Sequence, residues 1–109
     1  MQNELPPDIA IEPVFVIEAA YGPDAAERRP AFRTEHLARI AALRDAGVVV
    51  EAGGLLDFSR ALMIVRAADA GAALAIGRDD VYLREGVWVD VAVHPFGRVC
   101  RPGERSAPG

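Results

Sequence analysis

The pattern of hydrophobic and polar positions divides the chain into short apolar segments and longer segments with helical spacing. The apolar segments are rich in β-branched residues and bounded by glycine or charged residues, which predicts strands. Pro30 suits the first turn of a helix, Gly47 its C-terminal end, and Asp69 the N-cap of a second helix. The predicted strands are 14–20, 48–52, 61–65 and 87–94, and the predicted helices are 30–47 and 70–76.

This order of elements predicts an α+β, ferredoxin-like β-α-β-β-α-β subunit with an antiparallel sheet and both helices on one face. In the last strand valine alternates with other residues from 87 to 93, which is typical of a half-buried strand and puts Trp88 on the opposite face from the valines. The second sheet face is apolar enough that we expect a partner subunit to cover it. Gly53 and Gly54 predict a bulge or a close backbone approach that interrupts the second strand.

The ends of the chain differ in composition from its middle. Residues 1–12 are rich in proline and predict a flexible arm, whereas residues 98–109 predict a disordered tail. The folded unit is then a single domain over residues 13–97, because 109 residues support only one core of useful size.

Composition and charge narrow the classes of function. A net charge of −4 argues against binding nucleic acid or an anionic membrane, and no apolar segment approaches the ~20 residues needed to span a bilayer. The N-terminus lacks the basic start and apolar stretch of a signal peptide, so we expect a cytoplasmic protein. Cys100 stands alone, which excludes an internal disulfide. All 12 basic residues are arginine and hydroxyl groups are scarce, so any chemistry falls to His, Asp, Glu and Arg.

The first helix carries a histidine on its apolar face. His36 lies one turn from Phe32 and one turn from Ile40, within an apolar arc of about 80°. Arg33 lies at the edge of the same arc. A titratable ring is therefore expected to face the sheet rather than water.

A buried imidazole needs hydrogen-bond partners, and the topology offers Asp79 or Asp80 in the turn after the second helix. A carboxylate on one ring nitrogen would orient the ring and leave the other nitrogen to move a proton. A purely structural pair would have the same composition. A cavity beside the pair would distinguish catalysis from structure.

These residues also form a recognisable motif. The helix segment Arg33-x-x-His36-Leu-Ala-Arg, the glycine pair, and Asp80-x-Tyr82 before the last strand resemble the YciI-like (YCII-related) family over residues 14–99. The resemblance implies a dimeric α/β barrel with a cavity between sheet and helices, His36 and Asp80 as the active pair, and a structural or anion-binding role for Arg33. The chain departs from the family where Val81 and Gly54 replace prolines.

Other candidate residues leave alternatives open. Tyr82 could donate a hydrogen bond into the cavity, or pack its ring and expose its hydroxyl. His94 is expected to be exposed or at an interface, although with His36 and Asp80 it would complete a two-histidine, one-carboxylate metal set. Trp88 is expected in the core or at a dimer interface.

The resulting hypothesis is a cofactor-independent enzyme without a metal that uses His36 and Asp80 for acid–base chemistry on a small organic molecule, by proton transfer, isomerisation or elimination. Arg33, Tyr82, Gly53 and Gly54 are expected to line the substrate cavity. The alternative is a non-catalytic, ligand-binding homodimer in which the His–Asp pair is structural. A third possibility is haem or metal binding through His36. Assembly beyond the dimer stays open.

Overall fold

A computed structural model of the chain describes residues 5–104 and contains one four-stranded antiparallel sheet in the order β2-β3-β1-β4. The prediction of a ferredoxin-like α+β subunit is confirmed, with one short additional helix before the last strand. A single 3₁₀ turn, Pro102–Glu104, follows the last strand. The elements are β1 (Ala10–Tyr21), α1 (Ala25–Asp45), β2 (Val49–Gly54), β3 (Arg60–Val65), α2 (Ala70–Arg78), α3 (Val81–Arg84) and β4 (Trp88–Cys100).

Helix α1 is longer than predicted at its start. It begins at Ala25, so Pro30 lies inside the helix rather than in its first turn. The ring of proline is compatible with helical φ, but at the sixth position of the helix Pro30 has no N–H to donate to the Ala26 carbonyl, so one backbone hydrogen bond is lost. At the other end Gly47 has φ +79°, and the Val48 N–H donates to the Leu43 carbonyl at 2.9 Å. This left-handed glycine ends the helix as predicted.

The paired strands extend into both segments that were predicted to be irregular. Ala10–Glu12 of the predicted arm pairs with Arg98–Cys100 of the predicted tail, so the paired strands run three residues past the predicted boundary at each end. The physical reason is a buried ion-pair cluster: Glu12 accepts from Arg66 at 2.7 Å and from Arg98 at 3.0 Å. Residues 1–4 and 105–109 of the arm and tail lie outside the described residues.

The glycine pair does not interrupt β2. Gly53 and Gly54 continue the strand opposite Leu62 and Ala61, and the irregularity in this pairing lies earlier, after Val49. Gly54 does have a close neighbour, since a Cβ built there would lie 3.2 Å from the Tyr21 hydroxyl oxygen. The expected bulge is therefore wrong for these glycines, and the close approach is made by a side chain.

The alternation along β4 breaks near its start. The register with β1 shifts after Ala20, so that Trp88 pairs with Tyr21 while Ala20 pairs with Asp90. Trp88 is consequently buried on the helix side of the sheet, whereas Val89 is 59% exposed. The prediction that Trp88 faces away from the valines is wrong because the bulge resets the period.

The two faces of the sheet are covered differently. The helix side packs the core, with Ile17, Met63 and Val65 nearly inaccessible. The other side, called the open face below, carries an apolar patch of Val16, Leu62, Ile64 and Phe96. Leu62 and Phe96 there are 39% and 45% exposed. Within residues 5–104 no helix is long and apolar enough to cross a membrane.

Candidate active site

The short helix α3 brings the acidic residue of the site into place. Asp79 ends α2 as an exposed C-cap, and Asp80 follows as the N-cap of α3 with its side chain fully buried. The Asp80 carboxylate accepts from the Tyr82 backbone N–H at 2.9 Å, which is the usual N-cap interaction. Val81 occupies the first helical position, where proline is also favoured, and it packs in the core. The turn therefore forms without the proline typical of the family.

Both oxygens of Asp80 are held by side chains of α1. His36 Nδ1 lies 2.7 Å from Asp80 Oδ1, and Arg39 Nη1 donates to Oδ2 at 3.0 Å. Arg39 Nη2 also donates to the Ile76 carbonyl at 3.0 Å, which ties α1 to the end of α2. The structure thus brings His36 to Asp80 and not to Asp79.

The electrostatics of this cluster favour an ionised carboxylate. Burial alone would raise the pKa of Asp80, but the hydrogen bonds from His36 and Tyr82 and the charges of His36 and Arg39 together lower it. An ionised carboxylate can only accept hydrogen bonds, so His36 Nδ1 must carry a proton. Among residues 5–104 His36 Nε2 forms no hydrogen bond. It is not fully buried either, since Trp88 Nε1 is the only side-chain polar atom of these residues that is both fully buried and without a partner. His36 Nε2 is therefore accessible to a ligand.

Aromatic rings fix the plane of the imidazole. The Tyr82 ring stacks on His36 with centroids 3.8 Å apart and planes at 7°. Trp88 lies almost perpendicular to both rings, at 5.4 Å from His36 and 5.6 Å from Tyr82, and so stands beside the stack. The ring of Tyr82 is packed, as one of the two expectations held, but the residue as a whole is only 2% exposed. Burial raises the pKa of Tyr82, so its hydroxyl stays protonated.

A cavity of about 210 Å³ lies next to His36, between α1 and the sheet. It is smaller than the roughly 300–1,000 Å³ of pockets for drug-sized ligands, so it suits a small molecule. Its lining contains five residues of the predicted site: His36, Arg33, Tyr82, Gly53 and Gly54. Asp80 lies behind His36 and does not line it.

Several residues of the site were not predicted from the sequence. Arg39 lies three positions after His36 and could have been found by helical spacing. Arg29 also lines the cavity, and its guanidinium carbon lies 4.5 Å from the centroid of the Phe58 ring, in the turn between β2 and β3. No sequence pattern brings Phe58 to α1. Trp88 reaches the cavity only through the bulge in β4.

The second histidine is not part of this site. His94 lies on the open face, where its Nε2 is 3.0 Å from Glu18 Oε1. The sheet separates it from His36, so the three-ligand metal set considered above is not assembled. Within the described residues no group of three or more His, Cys, Asp or Glu side chains is placed to hold a metal ion.

Known proteins resemble this chain in sequence and in fold. The family model described as the YCII-related domain matches residues 14–97. The chain belongs to this family. Protein YciI of Escherichia coli O6:H1 and Protein YciI of Shigella flexneri are each 32% identical over 96 residues, which covers 79% of this chain and 98% of theirs.

Among solved structures, the fold is similar to that of 5-chloro-2-hydroxyhydroquinone dehydrochlorinase from Burkholderia phenoliruptrix AC1100, in complex with 2,5-dihydroxybenzoquinone. The TM-score is 0.66 at 17% sequence identity, over 76% of this chain and 92% of that one. At this identity the likeness shows that the two chains share their fold. An enzyme therefore shares this fold.

Proposed function

We propose that the protein is an enzyme that transfers a proton on a small organic molecule in this cavity, with His36 as the general acid–base and Asp80 as the residue that orients it. One observation carries the proposal: Nδ1 of His36 is bonded to a buried, ionised carboxylate while Nε2 stays accessible beside a cavity. General bases are recognised by this arrangement of a tautomer-fixing partner and a ligand-facing nitrogen.

The chemistry follows from the hydrogen bonds. Nε2 of the neutral ring accepts a proton from a C–H or O–H group of the ligand, and the imidazolium that forms is stabilised by Asp80. Arg39 holds the second carboxylate oxygen, which favours leaving the proton on the histidine. Returning that proton at another position is an isomerisation, and expelling a leaving group instead is an elimination.

The fold neighbour supports this class of reaction. Its name describes a dehydrochlorinase, and it binds 2,5-dihydroxybenzoquinone, a single-ring compound. Loss of a proton and chloride is an elimination, and a single ring is compatible with the limited volume of the cavity described here. Positioned acid–base catalysis contributes roughly 10²–10⁴-fold, which is adequate for activated substrates.

The test is deuterium incorporation from D₂O into a panel of activated carbon acids, such as enol lactones and cyclic 1,3-diones, measured by mass spectrometry. We expect the wild type to accelerate exchange for some members and His36→Asn to lose this acceleration. His94→Asn is the matched control and should exchange like the wild type. Exchange that is unaffected by His36→Asn would contradict the assignment, and exchange no faster than in buffer across the panel would favour the ligand-binding alternative.

We also propose that the open face packs against a second copy of the chain. Its apolar patch includes the exposed side chains of Leu62 and Phe96, and such patches are typical of interfaces. Light scattering after size exclusion should give a dimer for the wild type and a smaller species for Leu62→Asp. Val99→Asp, at an exposed position on the other side of the sheet, is the control and should stay dimeric.

A further inference from the structure

The cavity beside His36 has an unusual charge for this protein. The chain carries a net charge of −4, yet two arginines, Arg29 and Arg33, line the cavity, and no Asp or Glu does. Asp80, which lies behind His36, is already held by His36 and Arg39. The cavity therefore presents positive charge that its own lining does not neutralise.

Most arginines of the described residues are paired. Seven of them have a carboxylate oxygen within 4.0 Å: Arg28, Arg39, Arg44, Arg60, Arg66, Arg84 and Arg98. Within residues 5–104 Arg29, Arg33, Arg78 and Arg101 have none, and of these four only Arg29 and Arg33 line the cavity. These two are also four positions apart on α1, where like charges repel and disfavour the helix. A ligand of opposite charge would remove this cost.

Phe58 holds the first of these arginines in place. Its ring lies against the Arg29 guanidinium, and its backbone has φ +59°, a left-handed conformation that is uncommon for a bulky residue. The turn is fixed by the Phe58 N–H, which donates to the Leu55 carbonyl at 3.0 Å, and by the Asp57 carboxylate, which accepts from the Ser59 backbone N–H at 2.9 Å. An aromatic ring contacts the face of a guanidinium, so the N–H groups at its edge stay available.

The charges of both arginines reach the floor of the cavity. Burial raises the pKa of Tyr82, as do the neighbouring Tyr21 and Asp80, while Arg29 and Arg33 act in the opposite direction. The two guanidinium groups thus act on the Tyr82 hydroxyl and offset part of this rise, although the pKa stays raised overall. An anionic group of a ligand in the cavity would be attracted by the same two charges.

We infer that the cavity selects small organic carboxylates, whose carboxylate oxygens are bound by Arg29 and Arg33 while the rest of the molecule lies against His36 and Tyr82. Guanidinium groups bind carboxylates through two parallel N–H···O bonds, so a pair of them suits this group better than a neutral amide. The claim that carboxylates are the substrate class rests on the proposed function. The claim that the cavity binds carboxylates does not depend on turnover.

The test compares benzoate with its neutral isostere benzamide, and acetate with acetamide. Trp88 is the only tryptophan of the chain and lines the cavity, so its indole N–H resonance in a ¹H–¹⁵N spectrum reports binding. We expect benzoate to bind about tenfold or more tightly than benzamide, a ratio typical of a lost charge-assisted contact. Equal affinities, or no shift with either carboxylate at tens of millimolar, would overturn the inference.

Substitutions then locate the charge that is responsible. Arg29→Gln and Arg33→Gln should each reduce the preference for benzoate, and Arg28→Gln should keep it, because Arg28 pairs with Asp24 outside the cavity. Asparagine tolerates the left-handed backbone at position 58, so Phe58→Asn tests the ring alone. It should weaken the preference for benzoate less than Arg29→Gln. A preference that survives the double variant R29Q/R33Q would assign the selectivity to other groups and overturn the inference.

The same variants separate this inference from the proposed function. If deuterium exchange depends on His36 but is equally fast for carboxylates and their amides, the proposed function stands and the inference fails. If benzoate binding depends on Arg29 and Arg33 but no carbon acid exchanges, the site binds carboxylates without the proposed chemistry.

Discussion

Each histidine of this chain contacts a carboxylate that also binds an arginine, but the two clusters lie on opposite sides of the sheet. In the cavity cluster His36 lies 2.7 Å from Asp80, which Arg39 also binds. On the open face His94 lies 3.0 Å from Glu18, which Arg60 contacts at 3.3 Å. The residue types and distances are nearly the same in the two places.

The surroundings of the two clusters are very different. The His36 and Asp80 side chains are 13% and 0% exposed, against 56% and 29% for His94 and Glu18. Charges interact more strongly where water is excluded, and only His36 is stacked on a ring and adjacent to a cavity. The comparison indicates that burial and ring orientation, rather than composition, mark a candidate catalytic pair.

The largest expected difference between the clusters is in turnover. Once an exchanging substrate is identified, His36→Asn should reduce its rate by about 10²–10⁴-fold, because the group that moves the proton is removed. His94→Asn should leave the rate within error. The measurement is the initial rate of deuterium incorporation at saturating substrate, and equal losses in both variants would remove the distinction.

The next difference is in the free energy of unfolding. Asp80→Ala leaves the partly buried Arg39 charge without its carboxylate, and losing one partner of a buried pair costs about 3–5 kcal/mol. In the isolated subunit, at concentrations too low for the open faces to pair, Glu18→Ala should cost at most about 1 kcal/mol, as for other exposed pairs. Urea unfolding with an unchanged m-value measures both. A similar cost for the two variants would show that burial does not distinguish the clusters.

A smaller effect is expected at the arginines. Arg39→Met removes hydrogen bonds to Asp80 and to the Ile76 carbonyl, and hydrogen bonds to charged groups contribute about 1.5–3 kcal/mol. Arg60→Met is the matched control on the open face and should cost about 0–1 kcal/mol. The same unfolding measurement applies, and a cost for Arg39→Met no greater than that of the control would mean that Asp80 is held without it.

The smallest expected effect is on the free energy of unfolding at acidic pH. The pKa of Asp80 is lowered in the folded chain from its ordinary value of 3.8, so between the two values the unfolded chain binds more protons. The stabilisation from Asp80 is therefore complete above the ordinary value and is lost as the pH falls through the lower, folded value. Asp80→Asn should flatten this part of the stability–pH curve. An unchanged slope would contradict the lowered pKa.

The sequence predicted the site unevenly, for identifiable reasons. Helical spacing was sufficient to place His36 inward, and the Gly47 and Asp69 signals are local, so those predictions hold. Trp88 was misplaced because a one-residue bulge reverses every later side chain of a strand, and β4 shows no such bulge in its residue types. Phe58 could not be connected to Arg29, since their contact joins a turn to a helix far away in the chain.

The amino-acid order by itself determined the element types, the ferredoxin-like arrangement and the inward-facing histidine, because periodicity and caps act over a few residues. Only the tertiary structure decided between Asp79 and Asp80. That choice depends on where α2 ends and α3 begins, and on both oxygens of one carboxylate meeting His36 and Arg39. The cavity and its two arginines likewise exist only once α1 packs on the sheet, since the distances that define a site join residues that are remote in sequence.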